Sequence, residues 1–109
     1  MSFDMEKAMQ DMLEAIRKVI STEGPAMKDC IRKALEEERD ALQEIALARM
    51  KEQITAEDMQ SQLDDEKKAF EAMLLACQVV AKAMIQDAAN AAIEVFANAV
   101  EGAIKAALP

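Results

Sequence analysis

The stretch AFEAMLLACQVVAKAMIQDAANAAIEVFANAVEGAIKAALP, residues 69–109, decides the fold of this chain. Only 6 of its 41 side chains are charged and 14 are alanine, whereas the preceding 68 residues carry 28 charged side chains. Most of its polar residues are three or four positions apart, which gathers them into one narrow stripe on a helix. That stripe consists of Glu71, Gln78, Lys82, Gln86, Asn90, Glu94, Asn98, Glu101 and Lys105. The remaining circumference is almost entirely apolar, so the segment is predicted to be helical and buried on most of its surface.

The earlier part of the chain supplies less apolar surface than such a helix demands. Periodicity predicts one helix over about residues 4–20 and another over about residues 25–53, each with a single apolar stripe opposite a charged face. Two stripes are too narrow to cover an apolar helix of roughly 40 residues, which is about 60 Å long. The sequence therefore predicts completion of the fold by oligomerisation with a second copy. The predicted oligomer interface consists of Phe70, Met73, Leu74, Cys77, Met84, Ile85, Ile93, Phe96, Val100 and Ile104.

Two positions mark turns between these helices. Gly24-Pro25 indicates a short turn or kink, with Gly24 left-handed at the end of the first helix and Pro25 in the first turn of the second. Thr55 is a candidate cap for a further helix, and the acidic residues that follow it complement a helix N-terminus. The chain is therefore expected to reverse direction tightly before Thr55.

The segment after Thr55 leaves two topologies open. It is expected to be helical over about residues 56–108, either without interruption or with a break near residues 87–90, where Asp87 or Asn90 could cap a fourth helix. Residues 1–109 are thus predicted to form a single all-α domain with a long Ala-rich C-terminal helix. A continuous helix would give an antiparallel helical hairpin, and a broken one would give a four-helix bundle.

The composition excludes most catalytic and cofactor chemistry. The chain has no His, so it lacks an imidazole base and a His ligand for zinc or iron. Its two glycines are too far apart for a phosphate-binding loop. A net charge of −8 opposes binding to nucleic acid. We therefore expect no enzymatic activity, no catalytic residue, no metal or cofactor site, and no nucleic-acid partner.

The two cysteines, Cys30 and Cys77, are 47 positions apart and form no metal-binding motif. In a helical chain of this size they are interpreted as small buried residues of the core. A disulfide or a reactive thiol is the alternative interpretation.

A run of charges interrupts the second predicted helix at Glu36-Glu37-Glu38-Arg39-Asp40. Such a run is interpreted as a solvated helix face. The alternative is an acidic docking patch or a weak divalent-cation site, although consecutive carboxylates on a helix point about 100° apart and converge on one ion only with help from a second chain.

The chain carries no pattern typical of export or of a membrane span. It begins without a signal-peptide pattern and contains no uncharged apolar stretch of 18 residues. The polar stripe also carries more acidic than basic side chains, which disfavours binding to anionic lipid. A cytoplasmic location is therefore expected, and action on a membrane is disfavoured without being excluded.

Three non-enzymatic functions are compatible with these patterns. The first is a structural or interaction protein that self-associates, in a coiled-coil-like manner, through its C-terminal helix. The second is a small acidic adaptor, chaperone or inhibitor that binds another protein in a helical groove, with Met5, Met9 and Met12 either as an adaptable contact face or simply as core. The third is a membrane-active, pore-forming amphipathic protein.

Overall fold

The computed structural model describes residues 3–20, 24–79 and 81–107 and contains four helices within them. They are α1 (Met5–Val19), α2 (Pro25–Met50), α3 (Ala56–Ala76) and α4 (Lys82–Ala107). Successive helices are antiparallel, and the chain forms a bundle in which α1 packs mainly on α4 and α2 mainly on α3. Helix α3 also packs on α4, whereas α1 and α2 contact each other only lightly. The prediction of an all-α fold is confirmed, and the four-helix alternative is the one that forms.

The connection between α1 and α2 differs in detail from its prediction. Gly24 is in extended conformation, with φ −74° and ψ 174°, and is the N-cap of α2. The expectation that Gly24 is left-handed and ends the first helix is therefore wrong, because α1 ends at Val19, several residues earlier. Pro25 occupies the first turn of α2 as predicted, where its missing N–H leaves no partner unsatisfied. Residues 21–23 lie outside the described part of the chain.

The start of α3 is fixed by a capping box at Thr55, as the sequence predicts. The Thr55 hydroxyl accepts a hydrogen bond from the Asp58 backbone N–H at 3.0 Å, and an Asp58 carboxylate oxygen accepts one from the Thr55 N–H at 3.1 Å. The two bonds satisfy donors that a helix N-terminus otherwise leaves free.

The apolar C-terminal segment is broken near residues 77–81, and the predicted break near residues 87–90 is wrong. Helix α3 ends in a Schellman motif, in which the Gln78 N–H donates to the Leu75 carbonyl at 3.0 Å and the Val79 N–H donates to the Leu74 carbonyl at 3.4 Å. Gln78 is left-handed, with φ 69°, at the position usually taken by glycine. Burial of Val79 beside Leu74 in the core supports this turn.

The left-handed backbone at Gln78 makes a stabilising substitution possible. We expect Gln78→Gly to raise the free energy of unfolding by about 0.5 kcal/mol, because relief of the steric strain exceeds the extra entropy of the unfolded chain. Urea denaturation followed by circular dichroism measures the change. Gln86→Gly, at an exposed position inside α4, is the control and should lower stability by about 0.5–1 kcal/mol. A loss of stability in both variants would contradict this account of the turn.

The break changes how the apolar segment is covered. Residues 69–76 belong to α3 and residues 82–107 form α4, so the two parts pack against each other instead of forming one long rod. Alanines on the buried face of α4 are fully covered, which lets α1 and α3 approach closely. The polar stripe on α4 faces solvent as predicted, apart from Glu101, which is half-buried and paired with Arg49 at 3.0 Å.

Most of the predicted oligomer interface therefore lies inside the single chain. Seven of its ten residues have at most 7% of their surface exposed: Phe70, Leu74, Cys77, Ile85, Ile93, Phe96 and Val100. The other three, Met73, Met84 and Ile104, are half-buried and pack against the same core. The predicted lack of cover supposes one apolar helix about 60 Å long, whereas the apolar segment is divided between α3 and α4, which cover each other. Self-association itself stays a prediction, but these seven side chains are not available to a second copy in this fold.

Within the described ranges, none of the four helices combines the length and the apolar character that crossing a bilayer requires.

Candidate functional site

A groove of about 490 Å³ separates α1 from α2 on the outside of the bundle. It exists because α1 packs mainly on α4 and α2 mainly on α3, which leaves the side chains between α1 and α2 only partly interlocked. We call it the α1–α2 groove. Its lining residues are Glu6, Met9, Gln10, Leu13, Arg32, Leu35, Glu36, Arg39 and Asp40.

The floor of the groove is apolar and only partly covered. Met9 and Leu13 are one helical turn apart on α1 and are half-buried, whereas Leu35 on α2 is buried. The neighbouring methionines Met5 and Met12 point into the core, with 5% and 1% of their surface exposed. Met5 and Met12 are therefore core residues, whereas Met9 is accessible from the groove.

The rim of the groove is charged, and its arginines are neutralised within the chain. Arg39 crosses the groove to Glu6, with 3.4 Å between Nη2 and Oε1. Arg32 is 2.7 Å from both Asp29 and Glu36. Hydrogen bonding to Arg32 holds the pKa of the Asp29 carboxyl below its usual value. Because each arginine already contacts a carboxylate, the rim offers surplus negative charge to an incoming group.

Glu38 departs from the predicted solvated face. Glu36, Glu37 and Asp40 are exposed, but Glu38 has only 5% of its surface exposed and its Oε2 accepts no hydrogen bond. Burial, followed by the neighbouring Glu66 on α3, raises the pKa of Glu38 to about 8. Periodicity could have found this residue, because Glu38 is three and four positions from the buried Leu35 and Leu42 and so shares their face.

The buried carboxyl predicts a specific dependence of stability on pH. Since the folded-state pKa is about 8 and the ordinary value is 4.5, the folded chain binds more protons between these values, and stability should fall as pH rises from 4.5 to 8. We expect Glu38→Gln to remove this slope and to be more stable than the natural chain at pH 8 by about 1–3 kcal/mol. Urea denaturation at several pH values between 5 and 8 measures both effects.

The exposed neighbour Glu37 provides the control for that experiment. Glu37→Gln removes one carboxylate from the same turn but no buried charge, so its stability should follow the pH dependence of the natural chain closely. If the natural chain and Glu38→Gln kept parallel pH profiles over this range, the assignment of Glu38 as the titrating group would be wrong.

The cation site that the acidic run left open gains no support. Among residues 3–20, 24–79 and 81–107, no three potential metal-ligating side chains come together. Glu38 and Glu66 meet without a third ligand, and Glu38 lines none of the described grooves. Two residues of the acidic run, Glu36 and Asp40, line the α1–α2 groove instead.

Cys30 and Cys77 form a disulfide that joins α2 to α3, with 5.8 Å between their Cα atoms. The disulfide is thus the alternative that forms, whereas the expected burial holds for Cys77, which belongs to the core, and only in part for Cys30, which is half-buried. The pairing follows from the antiparallel packing of α2 and α3. The two cysteines lie 25 residues before and 22 residues after the turn at Thr55. A hairpin about that turn therefore brings them to the same level along the axes of α2 and α3.

No family model, curated protein or solved structure matches this chain significantly.

Proposed function

We propose that this protein is a non-enzymatic interaction protein that binds a protein segment in the α1–α2 groove. The observation that carries the proposal is the combination of a partly uncovered apolar floor with a charged rim whose arginines are already neutralised. Burial of apolar side chains of a partner on this floor would supply affinity, and the surplus carboxylates of the rim would select its charge.

The floor has the properties of an adaptable docking surface. Met9 is unbranched and polarizable, so it can adjust its rotamer to the shape of an incoming side chain. Leu13 adds half-buried apolar area beside it, and the buried Leu35 gives the floor a rigid base. A volume of about 490 Å³ is large enough to receive a few apolar side chains of a partner.

The absence of enzymatic activity is part of the same proposal. The chain has no His, and Glu38, the carboxyl whose pKa is raised to about 8, faces α3 rather than the groove. A carboxyl with a raised pKa can mark an active site, but Glu38 lines none of the described grooves, and the sequence shows no motif that pairs it with a nucleophile. Its raised pKa is explained by burial between helices.

The cytoplasmic location expected from the sequence stays a prediction, and the disulfide weighs against it. Disulfides such as Cys30–Cys77 form and persist in oxidising compartments and are rare in the reducing cytoplasm. We therefore propose that the groove functions in an oxidising environment. Thiol labelling of the chain isolated under conditions that prevent exchange would settle the point, because a labelled Cys30 or Cys77 would contradict the proposal.

Site-specific photo-crosslinking in cells that produce the chain tests the function of the groove. A photo-reactive phenylalanine analogue at Gln10, which is exposed on the groove lining, should give a discrete protein product. The same analogue at Asn98, on the solvated stripe of α4, is the matched control and should give none. The product should disappear when Met9→Glu places a charge on the floor, with folding checked by circular dichroism. Equal products from both positions, or none from Gln10, would contradict the proposal.

A further inference from the structure

A second surface, on the opposite side of the bundle, has the properties that the α1–α2 groove would recognise. Leu75 near the end of α3 has 61% of its surface exposed. It shares a shallow depression with Ala72 of the same helix and with Ile85 of α4. We call this surface the α3–α4 patch and define it by Lys68, Glu71, Ala72, Leu75, Lys82 and Gln86. Ile85 lines the same depression but is itself buried.

The charge of the α3–α4 patch is opposite to that of the whole chain. Exposed Lys68 and Lys82 flank the apolar centre, and Glu71 is the one acidic residue that lines it. A single exposed leucine is ordinary on a protein surface. An exposed leucine between two lysines gives this surface an apolar centre and a basic edge in a chain with a net charge of −8.

We propose that the α3–α4 patch of one copy docks into the α1–α2 groove of a second copy. Leu75 enters the apolar floor formed by Met9 and Leu13, and the lysines of the patch face the acidic rim. The groove lining carries three carboxylates against two arginines, and the patch carries two lysines against one carboxylate, so the two surfaces complement each other in charge, and both have an apolar centre. This proposal rests on the proposed function and names the occupant of the groove.

The order of the helices determines what kind of assembly follows. Each helix packs against the helices next to it in the chain, and α4 also packs against α1. The α1–α2 groove and the α3–α4 patch therefore lie on opposite sides of the bundle. Each docked pair therefore retains one free groove and one free patch, which makes the contact heterologous and the assembly open-ended. The bundle is about 20 Å across its shortest dimension, so successive copies should repeat at about that distance.

The strength of the contact should be modest and sensitive to salt. Leu75 and Ala72 provide little apolar area, and two copies of net charge −8 repel each other at long range. Screening by physiological salt reduces that repulsion between whole chains. We therefore expect assembly that grows with protein concentration and is promoted by moderate salt.

Complementation between two association-deficient variants tests the proposal. Leu75→Asp places a charge at the centre of the patch and leaves the groove intact. The double variant Gln10→Lys and Asp40→Lys puts positive charges at two exposed positions of the groove lining and leaves the patch intact. Size-exclusion chromatography with light scattering should find the natural chain in a range of assemblies at about 1 mM. Each variant alone should be a 12.0 kDa monomer. A mixture of the two should give a discrete dimer, in which the intact patch of the groove variant occupies the intact groove of Leu75→Asp. The dimer should grow no further, because its other groove and its other patch are both altered.

Leu47→Asp is the matched control, since Leu47 is also an exposed large apolar side chain, with 45% of its surface accessible, but it lines neither surface. This variant should associate like the natural chain. Circular dichroism verifies that all variants are folded. A natural chain that remains monomeric at about 1 mM, association unchanged in both surface variants, or a mixture that yields no dimer would each overturn the proposal. Photo-crosslinking from Gln10 to a different protein under those circumstances would leave the proposed function of the groove intact.

Discussion

Reducing the Cys30–Cys77 disulfide is expected to lower the free energy of unfolding by about 4 kcal/mol. The bond closes a loop between cysteines separated by 47 positions, and the loss of loop-closure entropy in the unfolded chain accounts for a stabilisation of that size. Small domains are stable by only about 5–15 kcal/mol, so the disulfide contributes a large share of the total. Urea denaturation with and without a reductant measures the difference.

A variant that lacks both thiols is the control for this measurement. Cys30→Ser/Cys77→Ser should have the stability of the reduced chain whether or not reductant is present. The reductant should therefore act on the natural chain alone. A natural chain whose unfolding midpoint is unaffected by reductant, although thiol titration shows that the bond is reduced, would contradict the expected contribution of the bond.

The disulfide also has a consequence for the groove. Cys30 lies on α2 two positions before Arg32, which belongs to the rim. The bond holds this part of α2 on α3, whereas α1 contacts α2 only lightly. We therefore expect the disulfide to help to fix the position of α2 at the groove. Chains tested for docking should accordingly be kept oxidised.

Local signals made the helices predictable. The capping box at Thr55, the proline at the start of α2 and the polar stripe of α4 each depend on residues within one or two turns of one another. The break after α3 was harder to predict, because Gln78 occupies a left-handed position where glycine is the usual indication. The available signal was weaker, namely an apolar Val79 placed to pack beside Leu74.

The groove depends on packing that periodicity does not determine. Met9 and Leu13 belong to the same apolar stripe as Met5 and Met12, and the sequence leaves open which of these methionines are core and which are accessible. Which column remains uncovered is decided by the close approach of α1 to α4 and by its weak contact with α2. Those preferences arise between segments far apart in sequence. The charge of the rim was predictable, whereas the accessibility of its floor was not.

Phe96→Ala is expected to lower the free energy of unfolding by about 3–5 kcal/mol. Phe96 is fully buried on α4 and packs edge to face against Phe3, with 5.7 Å between the ring centroids. Truncation leaves a large cavity among neighbours that include small alanines, which cannot move far enough to fill it. Thermal or urea denaturation of the oxidised chain measures the loss.

Comparison with Phe3→Ala separates the contribution of the ring pair from that of burial. Phe3 is half-buried, so its truncation should cost less than that of Phe96, and a double-mutant cycle should give a coupling of about 0.5–1.5 kcal/mol. Phe96→Ala also distinguishes a core position from an interface position, because Phe96 belongs to the interface predicted from the sequence. Truncation of a core residue destabilises the chain at every protein concentration, including those at which the chain is monomeric. If Phe96→Ala instead weakened association and left the stability of the monomer unchanged, Phe96 would lie between copies of the chain and the packing of α4 described above would be wrong.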